Sequence, residues 1–457
     1  MKRSLLRTQI LLPGIALAVC SFAPPSQASS WTGTTGDWSS DLNPGWNGTG
    51  VPNAVAAVAE YSGGASATVV QNIGAGVTVG TIRSFGSGNA SFTVTASNSI
   101  ILNQDGGGSG FALIETSRTS NQAHRLNIAG PGSLSLADNL LVRNSGNGTG
   151  ALGSIQLNAN ITGTGNITFD NVSNNTSAGQ IYLNSSSTSD FTGNVLIRRG
   201  AVAFTDKDHF GNRATNVITL GEAGQGSSTL VSNAAISGAI VNNIVSAAGT
   251  GGTNVLGSVS AAASGTTTYA GTVLLNGDLT LTSSNISAGH VAVSGVISGV
   301  GSLVKSGTGI ARLSGVNTYT GNTTVNDGTL LLASGGEQRF VIQDGGISNQ
   351  LQFTGTSSLD LNGTLRLDIS GLTVSSGIWN LVVDSSTTTA TYGGSFGLAF
   401  VGGPTFTNVG GGLYTSGDWT FNTGNGNLSL VPEPGTAGLI ALGGTAIIFF
   451  RRRRGKA

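Results

Sequence analysis

Between residues 29 and 430 the chain holds no segment able to bury an apolar face by itself. Apolar residues alternate with polar ones for a few positions, and then Gly, Asn, Ser or Thr breaks the run. Leu359-Asp360-Leu361-Asn362-Gly363-Thr364-Leu365-Arg366-Leu367-Asp368-Ile369 is the clearest case. Its leucines recur every second position, so they share one face of an extended strand while Asp, Asn and Arg take the other. Ile155-Gln156-Leu157, Ile167-Thr168-Phe169, Leu279-Thr280-Leu281 and Val291-Ala292-Val293 repeat the pattern. Asn53 to Glu60 is the single short stretch with helical character. Strands this short are stable only when stacked on others, so the expectation is an all-β protein built by stacking.

Composition supports this and excludes other classes. Glycine accounts for 73 of 457 residues, and charged residues make up 9%, against a usual charged share of about 25%. The formal net charge is zero, which gives no basic excess for a nucleic-acid partner. One cysteine excludes a disulfide framework, and the glycines show no Gly-X-Y period. The 38% hydrophobic share argues against disorder. Helical bundles need many charged helix formers, which are scarce here.

Self-comparison shows repetition. Ile161-Thr162-Gly163-Thr164-Gly165-Asn166-Ile167 matches Ile297-Ser298-Gly299-Val300-Gly301-Ser302-Leu303 at an offset of 136. Phe191-Thr192-Gly193-Asn194 matches Tyr319-Thr320-Gly321-Asn322 at 128, and Ile197 to Gly200 matches Val325 to Gly328 at that same offset. A copy that changes length while keeping its apolar positions fits stacked coils with insertions in their loops. A β-sandwich array is the alternative. Uneven turn spacing and a 6% aromatic share favour the solenoid.

The stretch from Gly299 through Val304-Lys305-Ser306-Gly307-Thr308-Gly309, Leu313-Ser314-Gly315 and Tyr319-Thr320-Gly321-Asn322 to Asp327-Gly328-Thr329-Leu330 resembles an autotransporter-associated β-strand repeat. That resemblance implies a right-handed parallel β-helix of the kind that forms surface-exposed passenger stalks. The family's passengers are expected to lead into a large C-terminal translocating barrel, whereas here the repeat region is expected to lead into a sorting helix. Trp31-Thr32-Gly33, Asp37-Trp38, Trp46 and Val51-Pro52 resemble the capping segment that opens other secreted repeat proteins.

The two ends read as addresses. Lys2, Arg3 and Arg7 precede the apolar run from Ile10 to Val19, and Ser26-Gln27-Ala28 supplies a small-residue exit. This is the layout of a secretory signal, cleaved between Ala28 and Ser29, with Ala23 as an alternative site. Cys20 lies inside it, so the mature chain is expected to contain no thiol. At the other end, Pro432-Glu433-Pro434 is followed by uncharged residues 435–450 and then Arg451-Arg452-Arg453-Arg454. Sixteen helical residues reach about 24 Å, enough for a single span if the arginines snorkel. A simple tail anchor would look the same. Triplet, apolar helix and arginine cluster together resemble the PEP-CTERM sorting signal of Gram-negative bacteria. The resemblance implies an exosortase-type membrane enzyme as partner beside the secretion machinery. It also implies transient inner-membrane anchoring followed by release to the outer surface or an exopolysaccharide matrix.

The domain organisation expected is 1–28 signal peptide, 29–133 cap and first coils, 134–334 repeat solenoid, 335–430 C-terminal coils and 431–457 sorting signal. Residues 29–430 hold 12 of the 20 basic and 19 of the 20 acidic residues, a net −7. Exopolysaccharide is a candidate partner, and nucleic acid is not.

Candidates for chemistry are few. His124, His209 and His290 stand apart, with no metal-ligand spacing. Thr205 to Arg213 is the densest polar run, where Asp206 and Asp208 suit an acid/base pair, a cation or a solvated loop. Asp105-Gly106-Gly107-Gly108 is one isolated Asp-Gly loop rather than a tandem calcium array. Gly221 to Gly226 lacks the lysine and the βαβ setting of a phosphate loop. Asp360 and Asp368, eight residues apart and read as aligned on one strand face across a wide gap, suit either a glycosidase pair or solubility. Trp379, Trp419, Tyr392 and Tyr414 suit a sugar platform or a core. No catalytic, cofactor or metal residues are assigned. The expectation is a non-enzymatic, structural or adhesion-type surface protein, with a polysaccharide-binding or polysaccharide-cleaving β-helix as the rival.

Overall fold

The computed structural model describes residues 28–432 except 40–45, 48–50, 87–89, 106–109, 119–123, 146–152, 173–179, 185–187, 212–214, 260–264, 285–289 and 387–389. Alternation becomes burial directly: along Ala90–Ala96 every second side chain is buried. The burial is achieved by parallel stacking in register. Phe92 pairs with Leu126, Leu126 with Ile155, and the column continues through Ile181, Val202, Leu230 and Leu256 to Leu281.

Three faces wind around this core. The first runs from Val58–Tyr61 through Phe111–Arg118, Ile167–Asn171 and Val273–Leu275 to Ile297–Gly299. The Thr318 amide donates to the Ile297 carbonyl at 2.8 Å, which carries this face on to Glu337–Gln343, Thr364–Asp368 and Gly397–Phe400. The second face extends from Thr35–Asp37 to Val382–Ser386. The third holds Val77–Val79 to Asn160–Gly163 and later Ala239–Ile240 to Thr391–Tyr392. The fold is therefore a β-solenoid, and the sandwich alternative is set aside. Among the described residues the helical elements are two 3-10 turns, Lys207–Phe210 and Asp344–Gly346.

Three local expectations change. Asn53 to Glu60 is not helical. The Ala57 amide closes a turn on the Ala54 carbonyl, Ala56 takes φ 61°, and the strand Val58–Tyr61 follows. The run from Leu359 to Ile369 is two strands on different faces, Ser358–Leu361 and Thr364–Asp368, parted by a corner at Asn362-Gly363. Alternation carries across that corner, so periodicity alone does not reveal it.

The third change concerns the repeat. Gly163 and Gly299 both hold positive φ, 100° and 112°, as the matched segments require. Yet the first segment leads from the third face to the first, and the second from the first face to the second. What recurs is a corner, and the coil itself varies in length: Thr323 stacks on Leu303, whereas Leu134 stacks on Ile100.

Both ends are closed. Ser29–Trp31 runs antiparallel to Trp46–Asn47 and parallel to Val58–Tyr61. Trp46 lies 5.3 Å from Trp31 and 5.0 Å from Trp38, all three buried. Parallel coils continue to Phe400. Thr407–Gly410, Leu413–Ser416, Trp419–Asn422 and Asn427–Leu430 then form an antiparallel sheet with Gly377–Asn380. Trp379 packs on Trp419 at 5.5 Å and Phe400 on Phe406 at 5.1 Å. The 335–430 segment is thus coils followed by an aromatic cap. A cap at each end removes the open strand edges that invite aggregation.

A Cβ at Gly163 would overlap the Leu136 carbonyl, and one at Gly299 the Leu275 carbonyl. Gly163→Ala and Gly299→Ala should each destabilise the fold by roughly 1–3 kcal/mol. Exposed Gly224 also has positive φ but open space around it, so Gly224→Ala should cost less. The midpoints of urea denaturation check this ordering.

Candidate functional site

The strongest departure from an apolar interior lies at Lys305. Its position in the second-face column falls between Leu281 and Val325, and it is fully buried. The strand Leu303–Ser306 places it there by alternation, because Leu303 faces inward two residues earlier. The Nζ donates to the carbonyls of Ser306 at 2.8 Å, Gly307 at 2.5 Å and Asp327 at 3.0 Å. Its three donors thus meet three acceptors, two at the corner of its own coil and one at the corner of the next. Burial lowers its pKa from 10.5 to about 8, opposed by the Asp327 charge. The geometry fastens one coil to the next and leaves the amine no path to a substrate.

Nearby, the buried Tyr319 hydroxyl lies 2.5 Å from Thr323 Oγ1. The Asn317 Oδ1 accepts from the Ile297 amide at 3.2 Å, and the Asn322 Oδ1 accepts from the Gln350 amide at 3.0 Å. The two asparagines serve the joint between coils, whereas Tyr319 and Thr323, four residues apart, brace the corner of their own coil.

The residues singled out for chemistry are not brought together. His124 starts a second-face strand, His209 lies in a 3-10 turn and His290 starts a third-face strand. Among the described residues no group of three or more His, Cys, Asp or Glu could hold a metal. Asp206 caps the turn Lys207–Phe210 by accepting from the Asp208 amide at 2.9 Å, and Lys207 pairs with Asp208 at 2.5 Å. That run is a self-capped loop. Gly224 and Gly226 donate their amides to Gly249 and Thr250 of the next coil, so this loop is also a coil joint.

Asp360 accepts from the Thr391 hydroxyl on the third face, while Asp368 is held by Arg339 on the first. Arg339 keeps the Asp368 carboxyl at about 2, below the ordinary carboxylate range. Trp379 and Trp419 are buried in the C-terminal cap, where Tyr392 and Tyr414 pack around Phe396. The tryptophans are core. At the processing positions, Ser29 is buried and opens the first strand directly after Ala28. Pro432 is exposed after the last strand. Glu433, Pro434, Arg451, Arg452, Arg453 and Arg454 lie outside the described residues.

One constellation escaped sequence reasoning. In Val195–Phe204 the register slips between Phe169 and Asp170 of the neighbouring strand, so Asp170 pairs with Arg199 rather than Arg198. This bulge turns two consecutive arginines outward. Around the buried Asp170 carboxylate stand Arg199 at 2.6 Å, Arg143 at 3.4 Å and Arg198 at 3.9 Å, with Arg198 also 2.7 Å from Glu222. The available signal was the doublet itself, which breaks the alternation of its strand.

A family model described as the passenger-associated-transport-repeat matches residues 303–332. The matched stretch begins on the strand carrying Lys305 and ends with Thr329–Leu332. No curated protein and no solved structure matches the chain. The chain is therefore a β-solenoid carrying a passenger-type repeat.

Lys305→Met should lower stability at pH 7 by about 1–3 kcal/mol, because it strands buried carbonyls. Between pH 8 and 10.5 the unfolded lysine keeps a proton that the folded one has released. The wild-type advantage over the variant should therefore grow as pH rises through that window. Buried Tyr269 and Tyr319 have raised pKa values, so their effect is opposite and appears above pH 10. Urea titrations of both proteins at pH 7, 8, 9 and 10 test the sign.

Proposed function

We propose that the chain is a non-enzymatic surface protein, a β-helical stalk exported through its N-terminal signal and sorted by its C-terminal one. The observation carrying this reading is the passenger-type repeat at 303–332, set in a solenoid closed at both ends. A stalk of this kind presents long lateral faces and needs no catalytic cleft. The first strand starts at Ser29, immediately after the proposed cleavage site, and Leu430 ends the last strand two residues before Pro432. In this reading an exosortase-type enzyme acts near Pro432-Glu433-Pro434 after the apolar 435–450 segment has held the chain in the inner membrane. Arg451 to Arg454 fix that segment with its C-terminus in the cytoplasm.

The rival is a polysaccharide-cleaving β-helix. Its best acids are already engaged, Asp360 by Thr391 and Asp368 by Arg339, on separate faces. The non-enzymatic reading accounts for both as coil-to-coil contacts.

Mass spectrometry of the extracellular protein should give an N-terminus at Ser29 and a chain lacking Arg451 to Arg454. Deleting residues 431–457 should strand the protein in the periplasm. A surface form that keeps its arginines would instead establish a tail anchor. Release of oligosaccharides from the producer's exopolysaccharide by the purified chain would overturn the non-enzymatic assignment.

A further inference from the structure

The outer side of the first face reads in two parallel columns, both organised about one point. In the charged column Glu60 pairs in register with Arg83, Arg83 with Glu115, Glu115 with Arg143, Arg143 with Asp170 and Asp170 with Arg199. Beside it, in the same register, stand Val58, Thr81, Leu113, Leu141, Thr168 and Leu196. The point lies midway between the strands Phe111–Arg118 and Asn139–Asn144. About it the charged column inverts its sign: acid, base, acid on one side and base, acid, base on the other. The second column mirrors itself about the same point, as apolar, Thr, Leu and then Leu, Thr, apolar. Uncharged Ser30 precedes Glu60 in the ladder, and Arg198 forms a neutral pair with Glu222 beyond the far end.

The relief follows the sign. The side chains of Glu60 and Asp170 are 12% and 2% exposed, whereas those of Arg83, Arg143 and Arg199 are 33–37% exposed. Glu115 is half-buried and accepts from the Ser145 hydroxyl at 3.0 Å. Raised guanidiniums therefore alternate with recessed carboxylates along the face. Phe111, two residues before Leu113 on the same side, is 43% exposed, so this stretch is open to a partner.

A surface that inverts its charge and mirrors its apolar pattern about one point is complementary to itself. A twofold axis through that point, parallel to the strands, lays one copy face to face on another with their solenoid axes antiparallel. Glu60 then faces the partner's Arg199, Arg83 the partner's Asp170 and Glu115 the partner's Arg143, and each contact is made twice. Leu113 meets the partner's Leu141, Val58 the partner's Leu196 and Thr81 the partner's Thr168, so apolar groups meet apolar groups and hydroxyls meet hydroxyls. A slip of one rung would set like charges opposite each other. Parallel axes would set the charged column either against the leucines or like on like. Six rungs at about 4.8 Å and five residues at about 3.3 Å cover roughly 480 Å² per copy. About 1,000 Å² in total is the low end for a specific contact.

We infer that the first face between Glu60 and Arg199 is an association surface for a second copy of this chain, lying antiparallel to the first. An area of this size suits a dissociation constant on the order of micromolar. The inference does not rest on the proposed function: association is read on purified protein and export on cells, so either can fail alone.

The test is sedimentation equilibrium of the purified full chain in detergent, at about 1 to 100 μM. The wild type should show a monomer–dimer equilibrium that weakens as salt rises. Glu115→Arg and Arg143→Glu should each abolish the dimer in this range, because either change sets two like-charge contacts in a dimer of the variant. An equimolar mixture of the two variants should dimerise about as well as the wild type, since both contacts then join opposite charges. Arg312→Glu, on the third face, should leave association unchanged. Melting curves show whether the variants stay folded. If either unfolds, Leu113→Ser and Leu141→Ser carry the test, each weakening association roughly tenfold. The inference is overturned by a wild type that stays monomeric throughout, or by unchanged association in a folded variant of this face. It is equally overturned by a mixture no tighter than its components, or by an equal loss with Arg312→Glu.

Discussion

Backbone hydrogen bonding between successive coils is the interaction on which everything else depends. A strand of three to five residues cannot hold its register or hide its apolar side by itself. Here its edges are taken by the coils before and after, and its inward residues complete a column. The cost of that arrangement falls on the corners, where the chain must turn at a spacing set by strand pairing, about 4.8 Å. Glycine answers it by omission. Gly271, Gly295 and Gly315 stack so closely that a Cβ on any of them would overlap the carbonyl of the coil beneath. Asparagine answers it by addition. The Asn139 side chain accepts from the Asn166 amide at 2.9 Å, Asn166 from Asn194 at 2.7 Å and Asn194 from Val217 at 2.9 Å. The glycine and asparagine content therefore reflects how many corners the chain makes.

The same constraint explains the polar interior. Ser84, Thr116, Asn144 and Asn171 form an inward column where the first face meets the second, all buried. Asn144 Nδ2 donates to the Gly153 carbonyl at 2.7 Å and Asn171 Nδ2 to the Ala201 carbonyl at 3.2 Å. These acceptors lie on the second-face strands Gly153–Leu157 and Val195–Phe204, so the buried asparagines tie the end of one face to the start of the next. Lys305 is the extreme member of this group. It supplies three donors at once to acceptors drawn from two coils, which offset only part of the desolvation of its charge.

Legibility followed the range of each interaction. Alternation is local, so strands such as Ala90–Ala96 and the all-β class were readable. The tryptophans of the N-terminal cap were readable because Trp31, Trp38 and Trp46 crowd a short segment otherwise poor in aromatics. Corners were legible only in kind. Leu359 to Ile369 scans as one strand because the inward/outward phase survives Asn362-Gly363, and that error placed Asp360 and Asp368 on one face when the fold separates them. Matching Ile161 to Ile297 found a true recurrence and mistook its level, since the shared unit is a corner that occurs between different pairs of faces. The C-terminal cap was hidden because Trp419–Asn422 and Asn427–Leu430 alternate like any coil strand; their antiparallel pairing is a long-range fact.

Charge was the least legible property, and its placement is the most specific. With so few ionisable residues, chance would scatter them as isolated solubilising groups. Instead basic residues meet acids on adjacent coils, as Arg83 does at Glu60 and Arg366 at Glu337. Such pairs reward correct register and penalise a slip by one coil, because a slip along an alternating column sets like charges opposite each other. A uniform column would serve registration alone. The bulge at Arg198 departs from that economy: it adds a third guanidinium where one already satisfies Asp170, and it interrupts the strand pairing on which the fold relies. Registration does not require that irregularity. What the bulge adds is reach, because Arg198 pairs with Glu222 of the following coil at 2.7 Å.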